Sequence, residues 1–373
     1  FLTTFFLGFM LVSMAMVIVR GEAPLEPWTF LRHYLLLAPP PILFVSALAL
    51  LFECVPWLSG RGGDVAYFFV FMLSMTLSTV AVINGTSWGA LFDPSGMAAV
   101  LAQNIAILHT KSISIGAGPF DPHKPPIVYP GLSLGHGFLL QRLVSMLVPL
   151  PLLLLARASF HRFDPVRVRV APKAERRWLA RLNALLKPLT RVLLRMPAAR
   201  SLPLAAVADA QLSVALVPGV AIAAIVSIAL PRWIAFLVMA ISISDVASRD
   251  ARANTLSLLY AAPRLREHFV AWKTMSASIL AAVFVLRHLL DPACVAGAFF
   301  TVAAAVALGT ISGNAKTFIV LFLSFWYIVV SDKGATAALD FAGFYGKASL
   351  SIPLTYAAIG AALLALATLI RRR

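Results

Sequence analysis

Residues 248–273, SRDARANTLSLLYAAPRLREHFVAWK, separate two long apolar runs and decide how the chain is arranged. The stretch contains a proline and carries five basic residues, Arg249, Arg252, Arg264, Arg266 and Lys273. Charge at the centre of a lipid bilayer costs at least ~2.5 kcal/mol per residue. We therefore predict that the stretch leaves the membrane between two spanning helices and lies in the aqueous phase.

The composition of the whole chain is that of a polytopic, all-α membrane protein. Of its 373 residues 60% are hydrophobic and only 12% are charged, whereas a soluble domain carries about 25% charged residues. The mean hydropathy is +0.89. The net charge of +16 does not indicate nucleic acid as a partner, because the basic excess clusters in loops beside apolar runs, as the positive-inside rule describes.

Apolar stretches of about 20 residues are candidate membrane helices. The sequence predicts about ten, at residues 1–19, 35–54, 66–83, 138–155, 212–230, 233–246, 270–285, 295–310, 318–330 and 352–370. Alternating them across the membrane collects most of the 31 Lys and Arg residues on one side, with the C-terminus. That side is predicted to be cytoplasmic. The chain begins inside its first apolar run, which we interpret as an N-terminal truncation.

A basic linker, residues 157–210, divides the chain, and part of it is patterned as an amphipathic helix. Apolar positions recur there at helical spacing, and basic ones fall on the other side. The apolar residues are Trp178, Leu182, Leu185 and Leu189, and the basic residues on the opposite face include Arg177 and Arg181. This pattern predicts a helix in the membrane interface with its basic face toward anionic lipid headgroups. A soluble linker helix packed on a partner is the alternative.

A weak internal repeat relates the two parts. Residues 47–75 and residues 303–330 each end a span, turn through Ser-Gly with a basic residue nearby, and begin an aromatic-rich span.

The 248–273 stretch resembles the coupling segment of ABC-2-type transporter permeases. That segment has an acidic–basic run, Gly-Thr-Leu, a Leu-rich turn, a proline and a closing lysine. The matching positions are Arg249-Asp250, Thr255-Leu256, Leu258-Leu259, Pro263 and Lys273. Asn254 stands where the family usually has glycine, and asparagine is the next best residue for a left-handed backbone position.

The resemblance covers nearly all of the chain and is to large bacterial permeases with two fused units. Residues 1–156 look like the last four spans of a first unit, truncated at its start. Residues 211–373 look like a second, six-span unit with a coupling helix at 249–266. Such permeases show an Asp-Pro/Ser-Gly turn after the fifth span and an arginine opening the sixth, which Asp93, Gly96 and Arg142 match.

The resemblance implies the permease subunit of an ATP-binding-cassette exporter in the bacterial inner membrane, not an enzyme. ATP and Mg would bind a separate ATPase subunit; whether a second permease chain takes part is left open. A helix from Arg252 to Tyr260 would sit in a groove of that ATPase. The residues expected at the contact are Arg249, Asp250, Arg252, Thr255, Leu256, Leu258, Leu259, Tyr260, Pro263, Arg264 and Arg266.

Other readings of the same features stay open. The sequence 343–347, GFYGK, lacks the spacing of a phosphate-binding P-loop, and no catalytic set, cofactor motif or tight metal-ligand motif is found. The alternatives are a membrane enzyme acting on lipid-linked substrate and a non-transporting assembly anchor, with loop charges that only fix topology. Asp209, Glu53 and Asp245 lie at span ends, where we expect water to reach them.

Overall fold

The computed structural model describes residues 2–21, 24–55, 58, 61–84, 92–108, 131–160, 202–216, 219–257 and 267–372. Within these ranges the chain forms helices and no β-strand. Seven helices are long and apolar enough to cross a membrane when Pro27–Cys54 and His136–Ser159 are each counted as one. The pair Leu202–Val214 and Gly219–Ser227, bent by 98°, adds an eighth if it is one span. The predicted spans at 233–246 and 270–285 are shorter apolar helices. The helices suit a multi-pass membrane protein, and the count of ten spans stays a prediction.

The chain divides into two compact units, and the first comprises Phe1–Val168. Its helices are α1 (Leu2–Arg20), α2 (Pro27–Leu37), α3 (Pro39–Cys54), α4 (Arg61–Ile83), α5 (Met97–Leu108), α6 (His136–Leu147) and α7 (Pro149–Ser159). Helix α3 packs mainly against α7, and also against α4 and α6. Pro39 and Pro149 begin α3 and α7, because a first-turn proline loses no hydrogen bond within its helix.

The second unit comprises Arg169–Arg373. Its helices are α8 (Leu202–Leu216), α9 (Gly219–Ser227), α10 (Arg232–Ile243), α11 (Arg249–Arg252), α12 (Phe269–Phe284), α13 (Pro292–Ser312), α14 (Ala315–Asp332) and α15 (Ser351–Arg372). Helix α13 is central and packs against α15, α12 and α14. Small residues bring α13 and α15 together: a Cβ on Gly360 would lie 3.0 Å from the Cβ of Ala303.

Local signals set the ends of α13 and α14. The Asp291 side chain accepts a hydrogen bond from the backbone N–H of Ala293 and caps α13, as N-cap aspartates do. Gly313 ends that helix with a left-handed φ of 66°, and the Asn314 side chain caps α14 at the Lys316 N–H. The helix–turn–helix that the sequence repeat predicted at 303–330 is therefore present in the second unit.

Helix α8 differs from the prediction. It begins at Leu202, inside the stretch interpreted as linker (157–210) and before the predicted span start at residue 212. Ala206 and Ala210 on this early part are buried in the core of the second unit. Because this part packs against α12, it belongs to the bundle. The predicted interfacial helix around Trp178 lies outside the described residues.

Candidate functional site

Arg249 begins α11, at the start of the stretch that the sequence singled out, and its side chain points into the second unit. Its guanidinium donates to the Asp209 carboxylate and to the Ser213 hydroxyl. It also donates to the Asp209 backbone carbonyl at 2.9 Å. Asp209 and Ser213 are four positions apart on α8 and so share one helix face. The arginine that we expected to face a partner protein is buried and fixes α11 to α8.

Lys273 lies at the other end of the stretch, on α12, and is fully buried, with a relative exposure of 0%. Its Nζ is 3.0 Å from Oδ1 of Asp209 and 2.5 Å from Oδ2 of Asp250. It also lies 4.2 Å from the centre of the Trp272 ring, a favourable position for a cation. We call Asp209, Arg249, Asp250 and Lys273 the ion cluster.

The ion cluster balances two carboxylates against two cations, and all four residues are buried. Burying one such charge alone would cost several kcal/mol, and a buried ion becomes tolerable only when partners surround it. Loss of one member would leave its partner charged and uncompensated. The ion cluster therefore behaves as a single unit that ties α8, α11 and α12 together.

The burial of Asp209 corrects the expectation that water reaches it. Its side chain is only 4% exposed, because α8 begins earlier than predicted and places this residue inside the bundle. Glu53, by contrast, is exposed as expected. Asp245 lies near the surface, with Oδ2 3.7 Å from a guanidinium nitrogen of Arg252.

Several buried polar atoms beside the ion cluster have no hydrogen-bond partner among the described residues. They are Oδ2 of Asp209, Nε of Arg249, Nε1 of Trp272 and Oγ of Ser276. Unsatisfied buried polar groups are rare in folded proteins, since each costs about 1–3 kcal/mol.

The stretch leaves the bundle through a sharp turn after α11. Asn254 has a left-handed φ of 55°, as its residue type predicted. The backbone carbonyl of Asp250 accepts from the N–H of Thr255 at 3.0 Å and from its hydroxyl at 3.3 Å. The predicted helices 249–266 and Arg252–Tyr260 are therefore not continuous at this point, because the turn at Ala253 and Asn254 interrupts them.

Beyond the turn, Leu256 packs against the core of the second unit. Leu258, Leu259, Tyr260, Pro263, Arg264 and Arg266 lie outside the described residues. Among the predicted contact residues that the structure describes, Arg252 carries a substantially exposed charge, since its side chain is 46% exposed. The C-terminal helix also reaches this region, where the Arg371 guanidinium carbon lies 3.5 Å from the centre of the Phe269 ring.

The structure also brings together the three residues singled out in the first unit. The Asp93 carboxylate accepts from the backbone N–H groups of Gly96 and Ala99, at 2.9 and 3.1 Å. Arg142 is buried and donates to the carbonyls of Asp93, at 2.9 Å, and Pro94, at 3.3 Å. Gly96 has a φ of +81°, and a Cβ there would lie 3.3 Å from the guanidinium carbon of Arg142.

Sequence reasoning did not assign site roles to Asp209 and Lys273. A signal was present for Asp209, which stands in the apolar run 204–216, where a charge is a functional candidate by default. Lys273 was recognised only as the closing residue of the coupling-segment pattern. Comparison of the chain with protein-family models, with curated proteins and with solved structures found no match.

Proposed function

We propose that this chain is the membrane-spanning permease subunit of an ATP-driven exporter, powered by a separate ATPase subunit that binds ATP and Mg. The proposal places it in a bacterial inner membrane, with the 249–273 stretch and the C-terminus in the cytoplasm. The single observation that carries the proposal is the ion cluster, which joins both ends of that stretch to membrane helices.

The ion cluster supplies a route for force. Asp250 stands at the start of the stretch and Lys273 at its end, and they pair directly. Arg249 and Lys273 both pair with Asp209 on α8. A push on the stretch therefore moves α8 and α12 together, as a rigid body, and does not merely bend a loop. Rigid-body movement of packed helices is a common form of switching between two states.

The burial of Arg249 and Asp250 changes the expected contact with the ATPase. Arg249 and Asp250 join the start of the stretch to Asp209 and Lys273 inside the second unit. They would therefore transmit movement without touching the partner. Arg252, with its exposed side chain, would contribute charge to the contact. Leu258, Leu259, Tyr260, Pro263, Arg264 and Arg266 remain the predicted anchors for the partner's groove.

The test is co-purification of ATPase activity with the tagged chain from native membranes. Vanadate-sensitive ATP hydrolysis should accompany the unaltered chain and disappear in Leu259→Asp, which puts a charge into an apolar anchor. The matched control is Leu290→Asp, because Leu290 precedes α13 and is 99% exposed. The control should retain the activity.

A third variant tests the route of force separately from binding. Asp250→Asn keeps the shape of the side chain but removes its charge from the pair with Lys273. It should retain the bound ATPase and reduce its turnover severalfold. If no ATPase accompanies any form of the chain, the proposal fails, and a membrane enzyme or an assembly anchor becomes the better explanation.

A further inference from the structure

The connection between α14 and α15 enters the helix bundle of the second unit instead of lying over it. Asp340, Phe341 and Ala342 are at most 1% exposed, although they lie in the loop that follows the short 3₁₀ turn Ala337–Leu339. The Phe341 ring contacts aromatic rings from four helices and from its own loop. These are Phe236, Phe300, Phe325, Tyr356 and Phe344.

The loop can lie this deep because glycine makes room for it. A Cβ on Gly297 of α13 would collide with the side chain of Ala342 and would lie 2.7 Å from its Cα. The Asp340 carboxylate holds the turn in shape by accepting from the N–H groups of Phe344, at 2.5 Å, and Tyr345, at 3.2 Å. The inner surface of the loop is therefore apolar, and its own aspartate satisfies its backbone.

Arg232, the first residue of α10, holds this loop from outside. Its guanidinium donates to the carbonyl of Gly343 at 2.6 Å and to that of Ala342 at 3.5 Å. It also lies 2.8 Å from Oδ2 of Asp291. The Arg232 and Asp291 side chains are 22% and 35% exposed, so water reaches this ion pair, and breaking it costs far less than breaking the ion cluster.

The first unit contains a loop with similar features. Asp93 and Gly96 are three positions apart, as are Asp340 and Gly343, and both glycines have positive φ, at +81° and +65°. In each loop the aspartate accepts from two backbone N–H groups. In each, one arginine donates to two consecutive carbonyls.

The loop and the ion cluster lie at opposite ends of the second unit. Helix α10 starts at Arg232 and leads toward Arg249, and α15 starts after the loop and ends near Phe269. Helix α13 has 21 residues, which corresponds to about 30 Å at 1.5 Å per residue. The loop thus closes the end of the bundle farthest from the ion cluster.

We propose that the loop Ala337–Gly346 is a plug that closes this end of the second unit, and that Arg232 is the positioning residue that holds it shut. The proposal does not depend on the transport reaction proposed above. Release of Arg232 breaks its hydrogen bonds to Gly343 and Ala342 and its ion pair with Asp291. Opening also withdraws the Phe341 ring from its aromatic neighbours. The loop then swings out about Gly334 and Gly346, two glycines with positive φ at its ends.

The experiment measures how fast a cysteine in the plug reacts with a large, polar maleimide on the purified chain in detergent. The background carries Cys54→Ala and Cys294→Ala, which remove both native thiols. The reaction rate of Ala342→Cys measures how accessible the plug is, and that of Lys347→Cys provides the rate for an exposed position. Ala342→Cys should react much more slowly than Lys347→Cys, and adding Arg232→Gln should speed it by about tenfold or more.

Two controls separate opening of the plug from loosening of the whole bundle. Val306→Cys, at a fully buried position of α13, should stay protected when Arg232→Gln is present. Arg287→Gln, which removes an exposed arginine at the same end, should leave the rate at Ala342→Cys unchanged. Asp291→Asn keeps a side chain that can cap α13 and removes only the charge, so it should give an intermediate rate.

The proposal is overturned if Ala342→Cys already reacts as fast as Lys347→Cys with Arg232 in place. It is equally overturned if Arg232→Gln leaves the rate unchanged, or exposes Val306→Cys to the same extent. Neither result bears on the ATPase, because no nucleotide or partner protein is present in the assay.

Discussion

Nζ of Lys273 lies 2.5 Å from Oδ2 of Asp250, so the two ends of the 249–273 stretch meet inside the second unit. In the sequence the stretch is only a charged interruption between two apolar runs. In the structure a buried ion pair joins its two ends. Asp209 of α8 joins the same lysine from the other side, at 3.0 Å. Whatever acts on the loop acts on α8 and α12 at once.

Replacement of Lys273 should be among the most damaging single changes in the chain. Lys273→Met keeps the length of the side chain but leaves Asp250 buried without its cation. Removing one partner of a buried pair typically costs about 3–5 kcal/mol. The free energy of unfolding, measured by denaturant titration in detergent, should fall by this amount, while Lys347→Met at an exposed position should leave it unchanged.

The same denaturant titration shows whether the uncompensated charge of Asp250 causes the loss of stability in Lys273→Met. The double variant Lys273→Met/Asp250→Asn should be more stable than Lys273→Met alone by about 1 kcal/mol or more, because neighbouring residues in one network couple by this order. Simple addition of the two single effects would show that packing, and not the ion pair, governs the stability of the site.

The left-handed turn at Asn254 should tolerate glycine and resist β-branched residues. Asn254 is exposed, so changes there act through the backbone and not through packing. Asn254→Val should lower the free energy of unfolding by about 1–2 kcal/mol, the usual cost of a left-handed conformation for such a residue. Asn254→Gly should be nearly neutral.

The control for this turn is the residue before it. Ala253 is also exposed but has a φ of −83°, so Ala253→Val should cost much less than Asn254→Val. Equal losses at both positions in a thermal unfolding assay would contradict the left-handed conformation.

Gly297→Ala should displace the plug, since the added Cβ would collide with Ala342. Backbone and side chain must both move to relieve this, and overpacking of a core typically costs about 1–3 kcal/mol. Gly8→Ala is the matched control, a helical glycine with nothing within 4 Å of the added methyl group. It should be neutral or slightly stabilising, because alanine is the better helix former.

The experiment compares the unfolding midpoints of the two alanine variants in the same detergent. A Gly297→Ala protein as stable as the parent chain would mean that the loop does not lie against α13.

His288 should make this end of the second unit sensitive to acid. Its Nδ1 lies 3.5 Å from the guanidinium of Arg232. Partial burial lowers the pKa of His288, and the positive charges of Arg232 and Arg287 lower it further, against the opposing charge of Asp291. A pKa below the unfolded value of about 6.5 means that the unfolded chain binds more protons at acidic pH.

Stability should therefore be highest above about pH 6.5 and fall as the pH drops through the lowered pKa of His288. His288→Gln removes this contribution, so its unfolding midpoint should fall less than that of the parent chain between pH 7.5 and pH 5.5. Arg287→Gln removes one of the repelling charges and should give an intermediate slope. Identical slopes for all three proteins would show that His288 does not contribute.

Much of the helical framework follows from local sequence. The predicted span 295–310 corresponds to α13 (Pro292–Ser312), and 318–330 corresponds to α14 (Ala315–Asp332). Apolar length set the middle of each helix, and Asp291, Gly313 and Asn314 set the ends. The left-handed conformation of Asn254 also follows from its residue type. These features depend on neighbours a few positions away, and hydropathy and capping describe such neighbours well.

The tertiary structure alone decided which charges face inward. The sequence placed Arg249 on a surface and Asp209 in water, but both are buried because α8 and α11 pack so that the two side chains meet. The plug is a second case: Arg232 and Gly343 are far apart in the chain, and nothing local to either residue predicts their hydrogen bond. A buried charge is stable only when its partners are already in place. Those partners come from other helices, so the assembled bundle, and not the order of residues, determined the ion cluster and the plug.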